Sequence, residues 1–80
     1  MKEQDLIDLG FTKEFGDNFY YYTYDFASGF SLITQASDEV INNEWFVEIF
    51  ETNPMIRFTV KEHVESLINI MNKARTIKFR

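Results

Sequence analysis

The sequence contains no cysteine, which excludes a disulfide-stapled scaffold, a thiol nucleophile and a thiolate zinc site. Its single histidine, His63, has no second imidazole with which to share a metal ion, so we interpret it as a structural residue. No apolar run approaches the ~20 residues of a membrane span, and the acidic start lacks the apolar stretch of a secretion signal. We therefore expect a cytoplasmic protein with no membrane partner, no metal and no cofactor.

The motifs that catalysis and nucleotide binding require are also missing. The sequence has no Gly-rich phosphate loop and no nucleophile elbow. Glu44 and Glu48 share a predicted strand face but would lie roughly 13 Å apart, which is too far for a carboxylate pair. Asp38 and Glu39 are neighbours in a polar loop, where water would solvate both. The sequence therefore predicts a protein that is not an enzyme. The alternative, a small enzyme that uses His63 and a nearby carboxylate, would require a pocket that holds both.

Aromatic residues are abundant, at 18% of the chain, with nine Phe, four Tyr and one Trp. The 80 residues are enough for one domain, which we assign to residues 1–80. A chain this short buries only about 60% of its unfolded surface, so large rings help it to build a core. The hydrophobic share of 45% and the charged share of 26% are typical of a globular protein.

The net charge of −5 is unevenly distributed along the chain. Residues 1–53 carry eleven acidic side chains against two lysines, and residues 54–80 carry six basic side chains against two acidic ones. The last four cations lie at or beyond the end of a predicted helix, where they complement its dipole. They also suggest an alternative, a phosphate-contact tail formed by Lys73, Arg75, Lys78 and Arg80. The overall acidity disfavours a nucleic-acid partner.

Periodicity and turn residues predict two helices and four strands. We expect helices over residues 3–9, ending at Gly10, and from the capping box at 59–62 to about Lys73. Aromatic and β-branched runs bounded by turn residues predict strands over 19–26, 30–35, 44–51 and 55–58. The predicted fold is α+β, a four-stranded antiparallel meander sheet with a C-terminal amphipathic helix packed on one face and a short N-terminal helix.

The predicted sheet has more apolar side chains than one helix can cover. Strands 19–26 and 44–51 both place rings on both of their faces. The C-terminal helix covers one face, and the N-terminal helix is available to shield part of the other. If a remainder stays open, it marks an interaction site for a host protein or for a second copy in a homodimer, because monomers seldom expose large apolar patches. The candidate patch for this protein interaction consists of Tyr21, Phe46, Glu48 and Phe50.

Three segments together carry a resemblance to a known group of proteins. They are DLIDLGF at 5–11, WFVEIF at 45–50, and IRF at 56–58 followed by a capped amphipathic helix. This pattern resembles short uncharacterised α+β proteins carried by bacteriophages and prophages. The resemblance covers most of the chain through apolar positions and turns, and it includes no signature residue. It implies an accessory protein that binds and inhibits a host defence factor, in the manner of an anti-CRISPR protein.

Overall fold

The computed structural model of the protein describes residues 1–26, 29–50 and 55–76, with the backbone alone for 74–76. Two helices flank a series of short strands in chain order. The elements are α1 (Glu3–Leu9), β1 (Thr12–Phe15), β2 (Tyr20–Asp25), β3 (Ser31–Thr34), a 3-10 turn (Ser37–Glu39), β4 (Val47–Ile49), β5 (Arg57–Phe58) and α2 (Lys61–Thr76).

The strands form one antiparallel sheet in the order β1-β2-β3-β4-β5, which confirms the predicted α+β class and the antiparallel sheet. Within the described residues the sheet has five strands where four were predicted, because β1 was not expected. Its sequence, TKEF, places two charged residues in the middle and lacks the alternation typical of a strand. Pairing with the aromatic strand β2 holds it at the sheet edge, in the register Thr12–Thr23 to Phe15–Tyr20.

Strand β4 is shorter than the predicted strand 44–51 because the residues before it are bonded elsewhere. Asn42 and Asn43 adopt positive φ angles of 55° and 58°, which place a turn directly before Glu44. The Trp45 amide donates to the Met1 carbonyl at 2.7 Å. The Phe46 amide donates to the side chain of Gln35 at 3.0 Å. Regular strand pairing therefore begins only at Val47.

Both helices pack on the same face of the sheet, which we call the inner face. Tyr22, Leu32 and Val47 project from β2, β3 and β4 on this face and are at most 2% exposed. Leu6 of α1 and Val64 of α2 are fully buried in the same cluster. The N-terminal helix is therefore part of the inner layer, and it does not shield the opposite face of the sheet.

Helix α1 is held in place at both ends. At its start, the Met1 ammonium donates to the carbonyls of Trp45 and Thr59 at 3.1 and 3.2 Å. At its end, Gly10 has a φ of 94°, and the amides of Gly10 and Phe11 close the last turn onto carbonyls of the helix. These contacts fix a helix of seven residues that would not persist alone in water.

Helix α2 places Val64 and Ile68 in the core, packs the partly buried Leu67 against it, and leaves Glu65 and Ser66 in solvent. Its first hydrogen bonds are accepted by the Val60 carbonyl, so it begins one residue later than a cap at Thr59 would require. Lys61 in its first turn lies 3.9 Å from Asp5 of α1. The last residue of the predicted strand 44–51, the residues 52–54 that follow it, and residues 77–80 lie outside the described residues.

Candidate functional site

The face of the sheet opposite the helices is open, and we call it the outer face. It is formed by every second residue of each strand. Residues that are paired across neighbouring strands project to the same side of the sheet, so these residues form one continuous surface. Its central members are Tyr21, Thr23, Asp25, Ser31, Ile33, Phe46, Glu48, Phe50 and Arg57. All four residues of the sequence-predicted patch belong to it, so the structure brings Tyr21, Phe46, Glu48 and Phe50 onto one surface.

Two hollows lie side by side on the outer face. The larger, about 510 Å³, lies between the 3-10 turn and β5 and includes Phe46, Glu48 and Met55 in its wall. The smaller, about 180 Å³, is lined by Tyr21, Thr23, Asp25 and Ser31 among others. Ile33 and Phe50 line both hollows. Phe50 is 50% exposed and lies between the two hollows.

Arg57 belongs to this surface and was not among the residues predicted from the sequence. Its guanidinium lies 3.9 Å from the centre of the Phe46 ring. It also donates to one oxygen of Glu48 through two nitrogens, at 2.7 and 2.9 Å. The signal that could have found it is the expected strand 55–58, in which Arg57 points away from Phe58. Glu48 is therefore engaged by a cation within the same surface.

Three further carboxylates surround the apolar centre of the outer face. Glu14 accepts a hydrogen bond from the Thr23 hydroxyl at 3.2 Å, and Asp25 accepts one from Ser31 at 2.7 Å. Glu39, in the wall of the larger hollow, accepts a hydrogen bond from the Ala36 amide at 3.4 Å. Their hydrogen-bond donors are neutral groups, in contrast to the Arg57 guanidinium that binds Glu48.

The titratable residues considered for catalysis do not come together. His63 lies exposed in the first turn of α2. Glu44 is bonded to Lys2 at 2.9 Å and to the Met1 ammonium at 3.3 Å, and these two cations hold its pKa below the usual range. Glu48 is bonded to Arg57 on the outer face. Among the described residues, no cluster of three or more His, Cys, Asp and Glu side chains could hold a metal ion.

The predicted phosphate-contact tail can be placed only in part. Lys73 is exposed near the end of α2, on the helix that covers the inner face. The side chain of Arg75 and the whole of Lys78 and Arg80 lie outside the described residues. Lys73 is thus not part of the outer face.

An apolar cavity of about 230 Å³ lies on the inner side of the sheet, between its strands and α2. Phe30, Ile49 and Met71 are among its lining residues, and the described residues of its wall are all apolar. Such a wall offers neither a hydrogen bond nor a charge to orient a ligand. The outer face, which combines rings with carboxylates, is the stronger candidate for a site.

The architecture defines the class of the protein, a two-layer α+β protein with two helices on one face of an antiparallel sheet. No family model matches the sequence, and neither curated proteins nor solved structures gave a significant match. In the part of the chain that the structure describes, none of the helices has the length and apolarity to cross a membrane.

Proposed function

We propose that this protein is a small, non-enzymatic protein-binding module that docks on its partner through the outer face. The observation that carries the proposal is the contrast between the two faces of the same strands. Val47 of β4 is fully buried on the inner side, whereas Phe50, at the end of the same segment, is half exposed between two hollows. Rings exposed in this way favour protein contacts, since aromatic residues are enriched at interfaces.

The resemblance to phage and prophage proteins extends the proposal to a biological role. The partner would be a host protein, such as a nuclease of a defence system, and binding would inhibit it. A plaque assay tests this role, with phage infecting host strains that carry individual defence systems. Expression of the protein should restore plaque formation against one system. Failure against every system of the natural host would contradict the inhibitor role and leave protein binding to be tested separately.

A matched pair of single substitutions tests the docking surface. Phe50→Ser removes the ring between the hollows, and Phe15→Ser removes a ring of β1 that is 75% exposed. Both variants should fold, because neither ring is buried. Affinity capture from the natural host, read by mass spectrometry, should lose the partner with Phe50→Ser and keep it with Phe15→Ser. A partner retained equally by both variants would show that the outer face is not the docking surface.

Two alternatives have their own tests. Self-association through the outer face, as in a homodimer, would appear as a rising molar mass in light scattering over a concentration series. Nucleotide or nucleic-acid binding through Lys73, Arg75, Lys78 and Arg80 would appear as oligonucleotide binding that weakens steeply with salt. We expect a constant monomer mass, because the carboxylates around the exposed rings would face those of a second copy. We expect no oligonucleotide binding, because the net charge of −5 repels phosphate.

A further inference from the structure

We infer that the partner of the outer face presents a cationic protein surface, rich in arginine or lysine, with an apolar side chain at its centre. This inference rests on the proposed docking function and names the chemistry of the partner. It follows from the charges and from the shape of the outer face.

The charges of the outer face are strongly unbalanced. Among its described residues, the carboxylates are Glu14, Asp25, Glu39 and Glu48, and Arg57 is the cation. Arg57 is already bonded twice to Glu48, so this pair is close to neutral. The other three carboxylates contact only neutral donors. A partner that covers this face must supply compensating positive charge, because like charges oppose association and unlike charges favour it.

A second copy of this chain would not supply that charge. A symmetric pair buries the same patch on both subunits, so the net negative face of one copy would lie against the net negative face of the other. Arg57 could compensate the opposite copy only by leaving Glu48, which lies with it in adjacent strands. The lysine of the adjoining edge strand, Lys13, points to the other side, 4.0 Å from the centre of the Tyr20 ring. Charge complementarity therefore favours a basic partner over self-pairing.

The shape of the outer face fits the side chains of such a partner. The rings of Phe19 and Tyr21 are stacked, with centres 6.1 Å apart, and Tyr21 also lines the smaller hollow beside Asp25. A guanidinium that lies over Tyr21 could therefore also reach a carboxylate, and both contacts favour arginine. The larger hollow, with Phe46 and Met55 in its wall, is wide enough for a leucine or phenylalanine side chain.

Two model peptides provide the probe for this inference. Both share a central leucine, and one carries several arginines where the other carries the same number of glutamates. Binding is measured by chemical-shift changes in the isotope-labelled protein at several salt concentrations. The arginine peptide should shift residues near Phe50, and the glutamate peptide should bind at least about tenfold more weakly. The affinity of the arginine peptide should fall as salt rises.

Two variants with the same change in net charge locate the effect. Glu14→Gln/Asp25→Asn/Glu39→Gln neutralises the outer face, and Asp8→Asn/Glu62→Gln/Glu65→Gln neutralises acids carried by the helices. The first variant should weaken the arginine peptide about tenfold, and the second by less than about twofold.

The following outcomes distinguish a failure of this inference from a failure of the proposed docking function. If both peptides shift the outer face with equal affinity, the face is a docking surface and the cationic partner is wrong. If the arginine peptide weakens equally in both triple variants, its binding follows net charge alone, and the cationic partner is again wrong. If Phe50→Ser also leaves that affinity unchanged, the docking surface itself is wrong.

Discussion

Arg57 covers the ring of Phe46 at 3.9 Å and at the same time bonds the carboxylate of Glu48. Arg57 lies in β5, and its two partners are Glu48 in β4 and Phe46 directly before β4. Strand β5 pairs with β4 through only two residues. This contact stabilises the short edge strand β5 and forms part of the wall of the larger hollow.

Replacing Arg57 should weaken this end of the sheet. Arg57→Ala loses both the ring contact and the ion pair, and we expect a decrease of about 1 kcal/mol in the free energy of unfolding. Arg57→Lys should recover only part of it, because an ammonium cannot stack on a ring as a planar guanidinium does. Chemical denaturation of the single variants and of Arg57→Ala/Glu48→Gln measures the coupling. If the losses in the free energy of unfolding of the two single variants simply add in the double variant, Arg57 and Glu48 are not coupled and this prediction is wrong.

The hydroxyl of Tyr22 joins the sheet to α1. It donates to the Glu3 carboxylate at 2.5 Å from a ring that is 2% exposed. Tyr22→Phe keeps the ring and removes the donor, so it should lower the free energy of unfolding by about 1–2 kcal/mol. Tyr20 donates to the same carboxylate at 3.4 Å, and Tyr20→Phe, which removes a longer bond, serves as the comparison and should cost less. An equal decrease in the free energy of unfolding for the two variants would show that the shorter hydrogen bond does not contribute more to stability than the longer one.

The same tyrosines predict how stability changes at alkaline pH. Burial, and then the bond to the Glu3 carboxylate and its negative charge, raise the pKa of Tyr22 above the ordinary value, and the pKa of Tyr20 is also raised. Their contribution to stability is complete below pH about 10, the pKa in the unfolded chain. It is lost as the pH rises through the folded-state pKa values. Denaturation at a series of alkaline pH values should show this decline, and Tyr20→Phe/Tyr22→Phe should flatten it.

Glu44 predicts the opposite behaviour at acid pH. Its bond to Lys2 and the nearby Met1 ammonium lower its pKa in the folded protein. Its contribution to stability is therefore present above the pKa of the unfolded chain and is lost as the pH falls through the folded-state pKa. Glu44→Gln should reduce the loss of stability on acidification, compared with Glu65→Gln on the exposed side of α2. NMR titration of the carboxyl groups should find Glu44 protonated at a lower pH than a free glutamate.

Gly10 tests the end of α1. Its φ of 94° is a left-handed conformation that a Cβ atom disfavours, although the nearest atom to that Cβ would be a Tyr24 ring carbon at an acceptable 3.7 Å. Gly10→Ala should therefore destabilise the protein by about 1–2 kcal/mol through backbone strain alone. Gly10→Asn should cost less, since asparagine adopts this conformation more readily. A neutral Gly10→Ala variant in thermal denaturation would contradict the assigned conformation.

Local signals in the sequence predicted most of the elements. Gly10 marked the end of α1, the stripe containing Val64 and Ile68 marked α2, and the aromatic runs marked β2 and β4. The alternation of side chains along a strand also predicted that Phe46, Glu48 and Phe50 share a face. These features depend on neighbours in the chain, which a sequence displays directly.

The features that the sequence did not predict depend on distant residues. Strand β1 exists through its pairing with β2, since Lys13 and Glu14 have little preference for a strand. The packing of α1 on the inner face depends on Glu3 meeting Tyr22 and on Asp5 meeting Lys61. The position of Arg57 over Phe46 depends on the register between β4 and β5. Local patterns carry no information about such pairs.

Because both helices lie on one side of the sheet, successive residues along each strand alternate between the buried core and the open outer face. In β2, Tyr22 is 2% exposed and belongs to the core, while its neighbour Tyr21 lies on the open outer face. If the outer face binds a partner as proposed, substitutions at outward positions would change specificity and leave the supporting core intact. An engineer could use the same separation to retarget the sheet by randomising only every second residue of its strands.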